Sequence, residues 1–293
     1  MGERVRLDSE LVRQGLARSR RHAGELIAAG RVRVDGAPTV KSSTALDPGQ
    51  VLAVEEQPGA APAYASRAGH KLAGALDVLG PEGPLVRGRV CLDAGASTGG
   101  FTDVLLRRGA AHVLAVDVGH DQLVPELRAD PRVTVHEGVN VRNLQAGDFS
   151  PAPELVVGDL SFISLALVLP ALLAVAAPGA DLLLLVKPQF EVGRERLGTG
   201  GVVRSPELRA QAVLGVARSA AALGLRARAV VASTLPGPSG NVEYFVWLVV
   251  DPTATVAGLA TVPADGDLIA LVDRAVAAGP TGEGTGWTSG GDL

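Results

Sequence analysis

Residues 89–106, RVCLDAGASTGGFTDVLL, join a short apolar run to a glycine-rich turn and then to a segment with helical spacing of apolar residues. A buried strand, a glycine-rich turn and a helix, in that order, form the ligand-binding corner of open α/β sheets. The turn, DAGASTGG at residues 93–100, therefore predicts a nucleotide-type ligand at the carboxyl end of the strand.

The rest of the second half of the chain has the pattern that such a sheet needs. Strand-like runs such as HVLAVD, LVVGDL and LLLLVK alternate with helix-like runs, which predicts an α/β fold with a doubly wound, largely parallel sheet. LVVGDL and LLLLVK are apolar without alternation, as central strands covered on both faces should be. The loop at 235–241, LPGPSGN, is too short for a crossover helix, so the last two strands, ARAVVAS and VEYFVWLVV, are predicted to be antiparallel.

The glycine-rich turn differs from the common phosphate-binding patterns. A dinucleotide fold has G-x-G-x-x-G, whereas Ser97 here occupies the second glycine position. The carboxylate of Asp93 suits a cationic or hydroxyl-rich ligand, so S-adenosylmethionine is the predicted cofactor. Asp117 is placed to accept hydrogen bonds from two ribose hydroxyls, an interaction that NAD would share. The predicted cofactor-binding residues are Asp93, Gly95, Ser97, Thr98, Gly99, Gly100, Asp117, Glu137, Asn140 and Asp159.

Four polar residues are predicted at or beside the crevice where the carboxyl ends of parallel strands meet. Asp159 and Lys187 end two strands, Glu243 lies early in the last strand, and Lys71 follows a linker. Lysine is rare in this chain, because only three of its 27 cationic residues are Lys. Arg does not lose its proton near neutral pH, so a lysine at the crevice indicates proton-transfer chemistry. Ordinary salt bridging is the alternative for the two acidic residues.

The first 57 residues carry a local excess of basic charge. Two short helices are predicted there, capped by Asp8 and Ser19, and short strands follow. Nine Lys/Arg against four Asp/Glu between residues 4 and 41 give a local charge of +5. Such a patch favours contact with an RNA backbone, with a solvated basic face as the alternative. The residues predicted to bind RNA are Arg4, Arg6, Arg18, Arg20, Arg21, Arg31 and Arg33.

The order of residues in this N-terminal segment is itself informative. RLDSELVRQGLARSRRHAGELIAAGRVRVDG resembles the small alpha-L RNA-binding module of a ribosomal small-subunit protein and of pseudouridine synthases. A stretch rich in Pro, Gly and Ala then separates it from the predicted sheet. We therefore predict an RNA-binding domain at 1–57, a linker at 58–63, a cofactor-binding domain at 64–279 and a flexible tail at 280–293.

Four motifs, DAGASTGGFTD, GDLSFISL, LVKPQFEVG and PGPSGNVEYF, resemble the TlyA family of ribosomal RNA 2′-O-methyltransferases, within the wider FtsJ-like group. The resemblance implies a Rossmann-like domain that methylates the ribose 2′-hydroxyl of cytidine in 16S and 23S rRNA of ribosomal subunits. The family's catalytic tetrad falls on Lys71, Asp159, Lys187 and Glu243. We expect Lys187 to accept the hydroxyl proton, Lys71 to orient the ribose, and the two acids to hold the ammonium groups.

Few side chains are available to contact an RNA base, since aromatic residues make up 3% of the chain. The candidates for base stacking are Tyr64, Phe162, Phe190 and Tyr244. Ser161 and Phe162 are expected to shape the base pocket. Candidates for extending the RNA footprint are Arg67, Arg194 and Arg204.

Composition narrows the class of protein. The 293 residues, 47% of them hydrophobic, fit one large or two unequal folded domains. One cysteine, Cys91, excludes an internal disulfide, and five His without zinc-like spacing predict no metal site. The N-terminus lacks the apolar core of a signal peptide, which predicts the cytoplasm. The most apolar window, 165–186, is broken by Pro170 and Pro178, so no membrane span is predicted.

Three other functions compete with RNA methylation. The second domain could serve as a ribosome-assembly scaffold that binds RNA without methyl transfer, which the complete tetrad opposes. Some relatives of the family are named haemolysins, yet the chain lacks a spanning segment and a strongly cationic amphipathic helix. An NAD-dependent oxidoreductase is the third alternative, and Ser97 weakens it.

Overall fold

The chain divides into two compact units, Met1–Pro62 and Ala63–Leu293. The computed structural model describes residues 5–14, 16–17, 20–39, 41–47, 49–55, 64–250 and 265–280. The predicted cap at Ser19, the linker at 58–63 and almost all of the predicted tail lie outside the described residues.

The N-terminal unit combines two short helices with short antiparallel strands. Its elements are β1 (Val5–Arg6), α1 (Leu7–Arg13), α2 (Arg20–Ala28), β2 (Val32–Val34), β3 (Ala37–Pro38), β4 (Ala45–Leu46) and β5 (Leu52–Val54). Strand β1 pairs with β4, and β2 pairs with β3 on one side and β5 on the other. The unit's core contains Leu7 and Leu11 of α1, Ile27 of α2 and Val32 of β2, all fully buried. The predicted α/β character of this segment agrees with these elements.

The predicted role of Asp8 as a helix cap is wrong. Helix α1 begins at Leu7, so Asp8 lies inside its first turn. The carboxylate is buried, and it accepts hydrogen bonds from the guanidinium groups of Arg6 and Arg20. Two charge-assisted partners outweigh the single backbone N–H that a cap would have satisfied.

The second unit is built on one seven-stranded sheet. Its strands are β6 (Val90–Ala94), β7 (His112–Val116), β8 (Val133–His136), β9 (Leu155–Gly158), β10 (Asp181–Val186), β11 (Leu225–Ala232) and β12 (Tyr244–Val250). They lie in the order β11-β12-β10-β9-β6-β7-β8. The five strands from β6 to β10 are parallel, and β12 is antiparallel to both of its neighbours. The predicted mostly parallel sheet and the antiparallel pairing of the last two strands are confirmed.

Helices cover both faces of this sheet. They are α3 (Ala68–Leu79), α4 (Gly100–Arg107), α5 (Pro125–Arg128), α6 (Leu169–Val175), α7 (Pro188–Glu191), α8 (Pro206–Ala222) and α9 (Asp265–Ala278). Alternate residues of the fully buried strand β10 point to the two faces, so that Leu182 packs with residues of α6, α8 and α9 while Leu183 packs with α3 and α4. A strand buried on both sides has no polar face to show, which explains the unbroken apolar run of its sequence.

The chain order places a topological switch point at the centre of the sheet. Strand β6 lies between β9 and β7, so the connections after β6 and β9 leave the sheet in opposite directions. Open α/β sheets bind ligands outside the carboxyl ends of the strands at such a point. The glycine-rich turn follows β6 and Asp159 follows β9, so both lie at this crevice.

Candidate active site

One cavity of about 1090 Å³ lies at the carboxyl edge of the parallel strands. Its wall includes all four residues of the predicted tetrad: Lys71, Asp159, Lys187 and Glu243. The turn contributes Gly95, Ala96, Ser97, Thr98 and Gly100 to the same wall. Lys71 comes from α3, and the other three residues directly follow β9, follow β10 or precede β12. Because β12 is antiparallel, its amino end lies beside the carboxyl end of β10, where Val186 pairs with Tyr244.

Lys71 and Glu243 form an ion pair inside the protein. The Lys71 Nζ donates a hydrogen bond of 2.6 Å to the Glu243 Oε2. Their side chains are 6% and 0% exposed, so both charges have been removed from water. A Cβ at Gly237 would lie 2.4 Å from the Glu243 Oε1, so only glycine leaves room for this carboxylate. The pair is therefore a fixed, desolvated part of the cavity wall.

Lys187 has two oxygen neighbours. Its Nζ lies 2.7 Å from the Asp159 Oδ1 and donates a hydrogen bond of 2.7 Å to the Ser161 Oγ. The Lys187 Nζ and the Asp159 Oδ1 therefore form a close ion pair at the cavity. The Nζ also lies 5.9 Å from the centre of the Phe190 ring. Lys187 is buried, whereas Asp159 is partly open to the cavity.

The turn between β6 and α4 has a backbone that most residues could not adopt. Gly95 and Gly99 have φ angles of 85° and 96°, and a Cβ at Gly99 would lie 2.3 Å from the Leu127 Cδ1. Ser97 is also left-handed, with φ at 47°, and its N–H donates to the Asp117 Oδ2 at 2.8 Å. Helix α4 begins at Gly100, directly after the left-handed Gly99.

Asp93 lies beneath this turn and is fully buried. Its Oδ2 accepts a hydrogen bond of 2.7 Å from the Thr102 Oγ1, and its Oδ1 has no partner among the described residues. Burial raises the pKa of Asp93 to about 7, against the hydrogen bonds from Thr102. A cationic or N–H group in the crevice is the kind of neighbour that would favour its charged form.

The shifted pKa of Asp93 predicts a pH-dependent stability. Between pH 4 and 7 the folded chain keeps a proton that the unfolded chain has lost, so the free energy of unfolding falls as the pH rises. The loss attributable to this group is on the order of 4 kcal/mol over that range. Asp93→Asn keeps an acceptor for Thr102 but cannot titrate, so it should remove this part of the dependence of the free energy of unfolding on pH. Melting temperatures of both proteins without cofactor from pH 4 to 8 test this, and parallel curves would contradict it.

Three other residues predicted to bind the cofactor make contacts within the chain. Asp117 accepts backbone N–H groups of Ser97 and Gly119 at 2.8 and 2.7 Å. Glu137 pairs with Arg128, and the Asn140 side chain caps a short 3₁₀ turn by accepting the Arg142 N–H. None of the three is part of the cavity wall. Their role in cofactor binding stays a prediction.

The aromatic residues predicted to stack on a base differ in whether they reach the cavity. Phe162 is 90% exposed at the cavity, and its ring centre lies 5.2 Å from that of Phe190. Tyr244 is fully buried in the core, so its prediction as a stacking residue is wrong. Tyr64 is not part of the cavity wall and packs against the His70 ring and the Arg107 guanidinium. Tyr244, the first residue of β12, directly follows Glu243, but its ring is buried in the core and is not part of the cavity wall.

Apart from Arg194, a candidate RNA contact, two segments of the cavity wall were not predicted from the sequence. Residues of 193–201 and of 238–241 contribute to the cavity, although neither segment has a periodic pattern. The buried Asn241 joins them, since its Oδ1 accepts the Val203 N–H at 2.9 Å and its Nδ2 donates to the Gly201 carbonyl at 3.1 Å. The Asn at position 241 was the one hint in the loop sequence, because an amide side chain can both donate to and accept from backbone groups.

The basic residues predicted to bind RNA lie in the N-terminal unit. Of these, Arg4 and Arg18 are outside the described residues, and so is the side chain of Arg21. The exposed Arg6 and Arg20 share the Asp8 carboxylate, and these bonds hold the pKa of Asp8 far below its usual range. Arg33 pairs with the Glu55 carboxylate, and the Arg31 Nε donates to the Glu55 carbonyl.

These features can be compared with known proteins. The model of the FtsJ-like methyltransferase family matches residues 64–250, and that of the S4 domain matches residues 5–52. The FtsJ-like match spans the whole sheet and all four tetrad residues. The chain belongs to the FtsJ-like methyltransferase family. FtsJ-like proteins are enzymes, and the cofactor of this chain is S-adenosylmethionine, as predicted.

Individual relatives of this FtsJ-like chain carry two kinds of name. It is 57% identical to the 16S/23S rRNA (cytidine-2′-O)-methyltransferase TlyA of Mycobacterium tuberculosis, over 85% of this chain and 91% of that protein. It is 35% identical to Hemolysin A of Brachyspira hyodysenteriae, over 84% and 100% of the two chains. A solved Streptococcus thermophilus structure described as a hemolysin is 35% identical, with a TM-score of 0.68 and coverage of 93% and 95%. Among the described residues, no helix is both long and apolar enough to cross a membrane.

The site fits the cofactor of the FtsJ-like family. The left-handed Gly95 brings the turn close to the backbone carbonyl of Asp159. A Cβ at position 95 would lie 3.1 Å from that carbonyl oxygen. The backbone of residues 95–98 is thereby laid along the cavity wall, and Asp159 in the same wall supplies an acidic group that a ligand with an ammonium needs. S-adenosylmethionine, when bound, supplies a methyl group that its sulfonium makes electrophilic.

Proposed function

We propose that this methyltransferase acts on ribosomal RNA and transfers the methyl group to the ribose 2′-hydroxyl of cytidine in ribosomal subunits. The observation that carries this proposal is the convergence of two buried lysines on one cavity with the glycine-rich turn. A ribose hydroxyl is a weak acid and needs a positioned base, which the methylation of an already nucleophilic ring nitrogen does not require. The name of the Mycobacterium tuberculosis relative agrees with this substrate.

Lys187 is the proposed proton acceptor. In the proposed reaction the Lys187 ammonium first loses a proton to solvent. The resulting amine would then take the 2′-hydroxyl proton as the oxygen attacks the methyl group that bound S-adenosylmethionine would supply, with the electron pair of the broken carbon–sulfur bond remaining on sulfur. Asp159, 2.7 Å from the Nζ, stabilises the ammonium that results. The hydrogen bond to Ser161 fixes the direction of the amine. Lys71, held by Glu243, donates to and orients the ribose.

Two sets of arginines are proposed to hold the RNA. In the N-terminal unit, Arg6 and Arg20 are fixed by one carboxylate while their side chains remain 50% and 61% exposed. At the cavity, the exposed Arg67, Arg142 and Arg194 line the wall and can reach phosphates beside the target nucleotide. Arg204 is exposed but is not part of that wall. A nucleotide flipped out of the RNA would then enter the cavity.

Phe162 is the proposed stacking partner of the target base. Stacking on an aromatic side chain contributes about 1–3 kcal/mol, so Phe162→Ala should raise the KM for RNA roughly ten-fold or more. The affinity for S-adenosylmethionine should stay unchanged. Val78→Ala is the matched control, because Val78 is 64% exposed on α3 and does not line the cavity. Equal KM values for Phe162→Ala and wild type would remove Phe162 from the base pocket.

Purified protein with labelled S-adenosylmethionine and separate small and large ribosomal subunits tests the substrate. We expect label in ribosomal RNA at a cytidine, located by primer extension. Binding of RNA without label would instead support an assembly factor. Since ribosomal subunits are assembled in the cytoplasm, we propose that the enzyme acts there.

A further inference from the structure

Two segments at the cavity carry most of the proposed chemistry. The first, residues 159–164, follows β9 and contains Asp159, Ser161 and Phe162. The second, residues 187–191, contains Lys187 and helix α7. Their relative position decides both where the proton acceptor lies and where the exposed aromatic ring points.

Glu191 connects these two segments from outside the cavity wall. Its Oε2 accepts a hydrogen bond of 2.5 Å from the Ser164 Oγ, and its Oε1 accepts one of 2.8 Å from the Leu165 N–H. The Ser164 Oγ in turn accepts the Ala166 N–H at 3.3 Å, so the carboxylate completes the cap of the 3₁₀ turn that precedes α6. Glu191 is half-buried, so both bonds are shielded from water.

Phe162 lies between two such connections. On one side the Lys187 Nζ bonds to Ser161, and on the other Glu191 bonds to Ser164. Phe162 has a φ of 63°, a left-handed conformation that costs a non-glycine residue energy. Burial of the ring does not offset this backbone energy, because Phe162 is 90% exposed. The conformation therefore depends on the bonds that hold the loop at both ends.

We propose that Glu191 is a positioning residue for RNA, whose carboxylate holds residues 161–164 in the conformation that presents Phe162 to the target nucleoside. The proposal deepens the function proposed above and rests on it for the identity of the nucleoside. Glu191 acts through the loop and does not touch the cofactor turn. Removal of the Glu191 carboxylate should therefore weaken the binding of RNA and leave the affinity for S-adenosylmethionine unchanged.

Glu191→Gln is the main test, because it keeps the shape of the side chain and removes one of two acceptors. We expect the KM for ribosomal RNA to rise about ten-fold, as for loss of one charge-assisted hydrogen bond, with an unchanged Kd for S-adenosylmethionine. Ser164→Ala removes the other side of the same contact and should have the same effect. Glu207→Gln is the control, since Glu207 accepts a similar bond from Ser205 at the exposed start of α8.

A double-mutant cycle separates positioning from general stability. If Glu191 acts through Phe162, the variant carrying both Glu191→Gln and Phe162→Ala should match Phe162→Ala within about two-fold in KM. Effects that multiply would show that Glu191 acts independently of Phe162 and would overturn the proposal.

Hydrogen exchange gives a readout that needs no RNA. The amides of Leu165, Ala166 and Leu167 bond to Glu191 or Ser164, so they should exchange faster in Glu191→Gln, whereas β9 should not change. Unchanged exchange would overturn the proposal even in an active enzyme. A wild-type protein that leaves ribosomal RNA unmethylated would refute the proposed substrate instead, and the two failures are thus distinguishable.

Discussion

Lys187→Ala should abolish methyl transfer to RNA while the affinity for S-adenosylmethionine stays close to that of the wild type. A positioned general base contributes about 10²–10⁴-fold to the rate, and the substitution removes it. The cofactor turn follows a different strand, and the described residues show no hydrogen bond between that turn and Lys187. Single-turnover methylation and calorimetric cofactor binding measure the two effects.

Lys187→Arg is the sharper control for this prediction. Arg keeps a positive charge beside Asp159 but does not give up its proton, so we expect it to be nearly as inactive as Ala. An active Lys187→Arg enzyme would mean that the residue acts as a fixed charge. In that case another group would have to take the hydroxyl proton.

Glu243→Ala should destabilise the protein by about 3–5 kcal/mol as well as inactivate it, because removing one partner leaves a buried charge without compensation. For a domain of this size that corresponds to a melting temperature lower by roughly 10 °C. The reason is the burial of both groups, with Lys71 6% and Glu243 0% exposed. Thermal unfolding followed by circular dichroism measures the change.

The paired variant with Lys71→Met and Glu243→Gln distinguishes folding from catalysis. With both charges gone, most of the lost stability should return, since a buried ion pair replaced by neutral groups is often close to neutral in energy. Methylation should remain absent, because no ammonium is left to orient the ribose. A paired variant that methylates RNA would contradict the proposed role of Lys71, and an unchanged melting temperature in Glu243→Ala would contradict the energetic argument.

The sheet was predictable from sequence because its central strands are buried on both faces. Strands β9 and β10 show this as unbroken apolar runs, and the residues after them, Asp159 and Lys187, lie at the crevice as expected. The tetrad could be assigned by its motifs, although the Lys71–Glu243 pair joins residues 172 positions apart. The sequence predicted Lys71 and Lys187 at or beside the crevice, and the fold places both in the wall of one cavity.

Helix α3 was missed because two glycines conceal it. Glycine lowers helix propensity, yet a Cβ at Gly69 would lie 2.5 Å from the Tyr64 Cβ, and one at Gly74 would lie 2.5 Å from the Thr234 Cγ2. Close packing against Tyr64 and Thr234 therefore requires the same two glycines that lower the helix propensity of the segment. Helix α9 was not predicted either, although its buried residues Leu268, Val272 and Ala275 have helical spacing.

The position of the methyl group within the modified nucleotide tests the central claim most directly. Ribosomal RNA treated with the purified enzyme would be digested to nucleosides and analysed by mass spectrometry, with alkaline hydrolysis of the same RNA in parallel. A methylated sugar on cytidine, and an adjacent phosphodiester bond that resists alkali, are the expected results, both absent with Lys187→Ala. A methyl group on the cytosine ring, with the phosphodiester still cleaved by alkali, would contradict the proposal that the buried lysines activate a ribose hydroxyl.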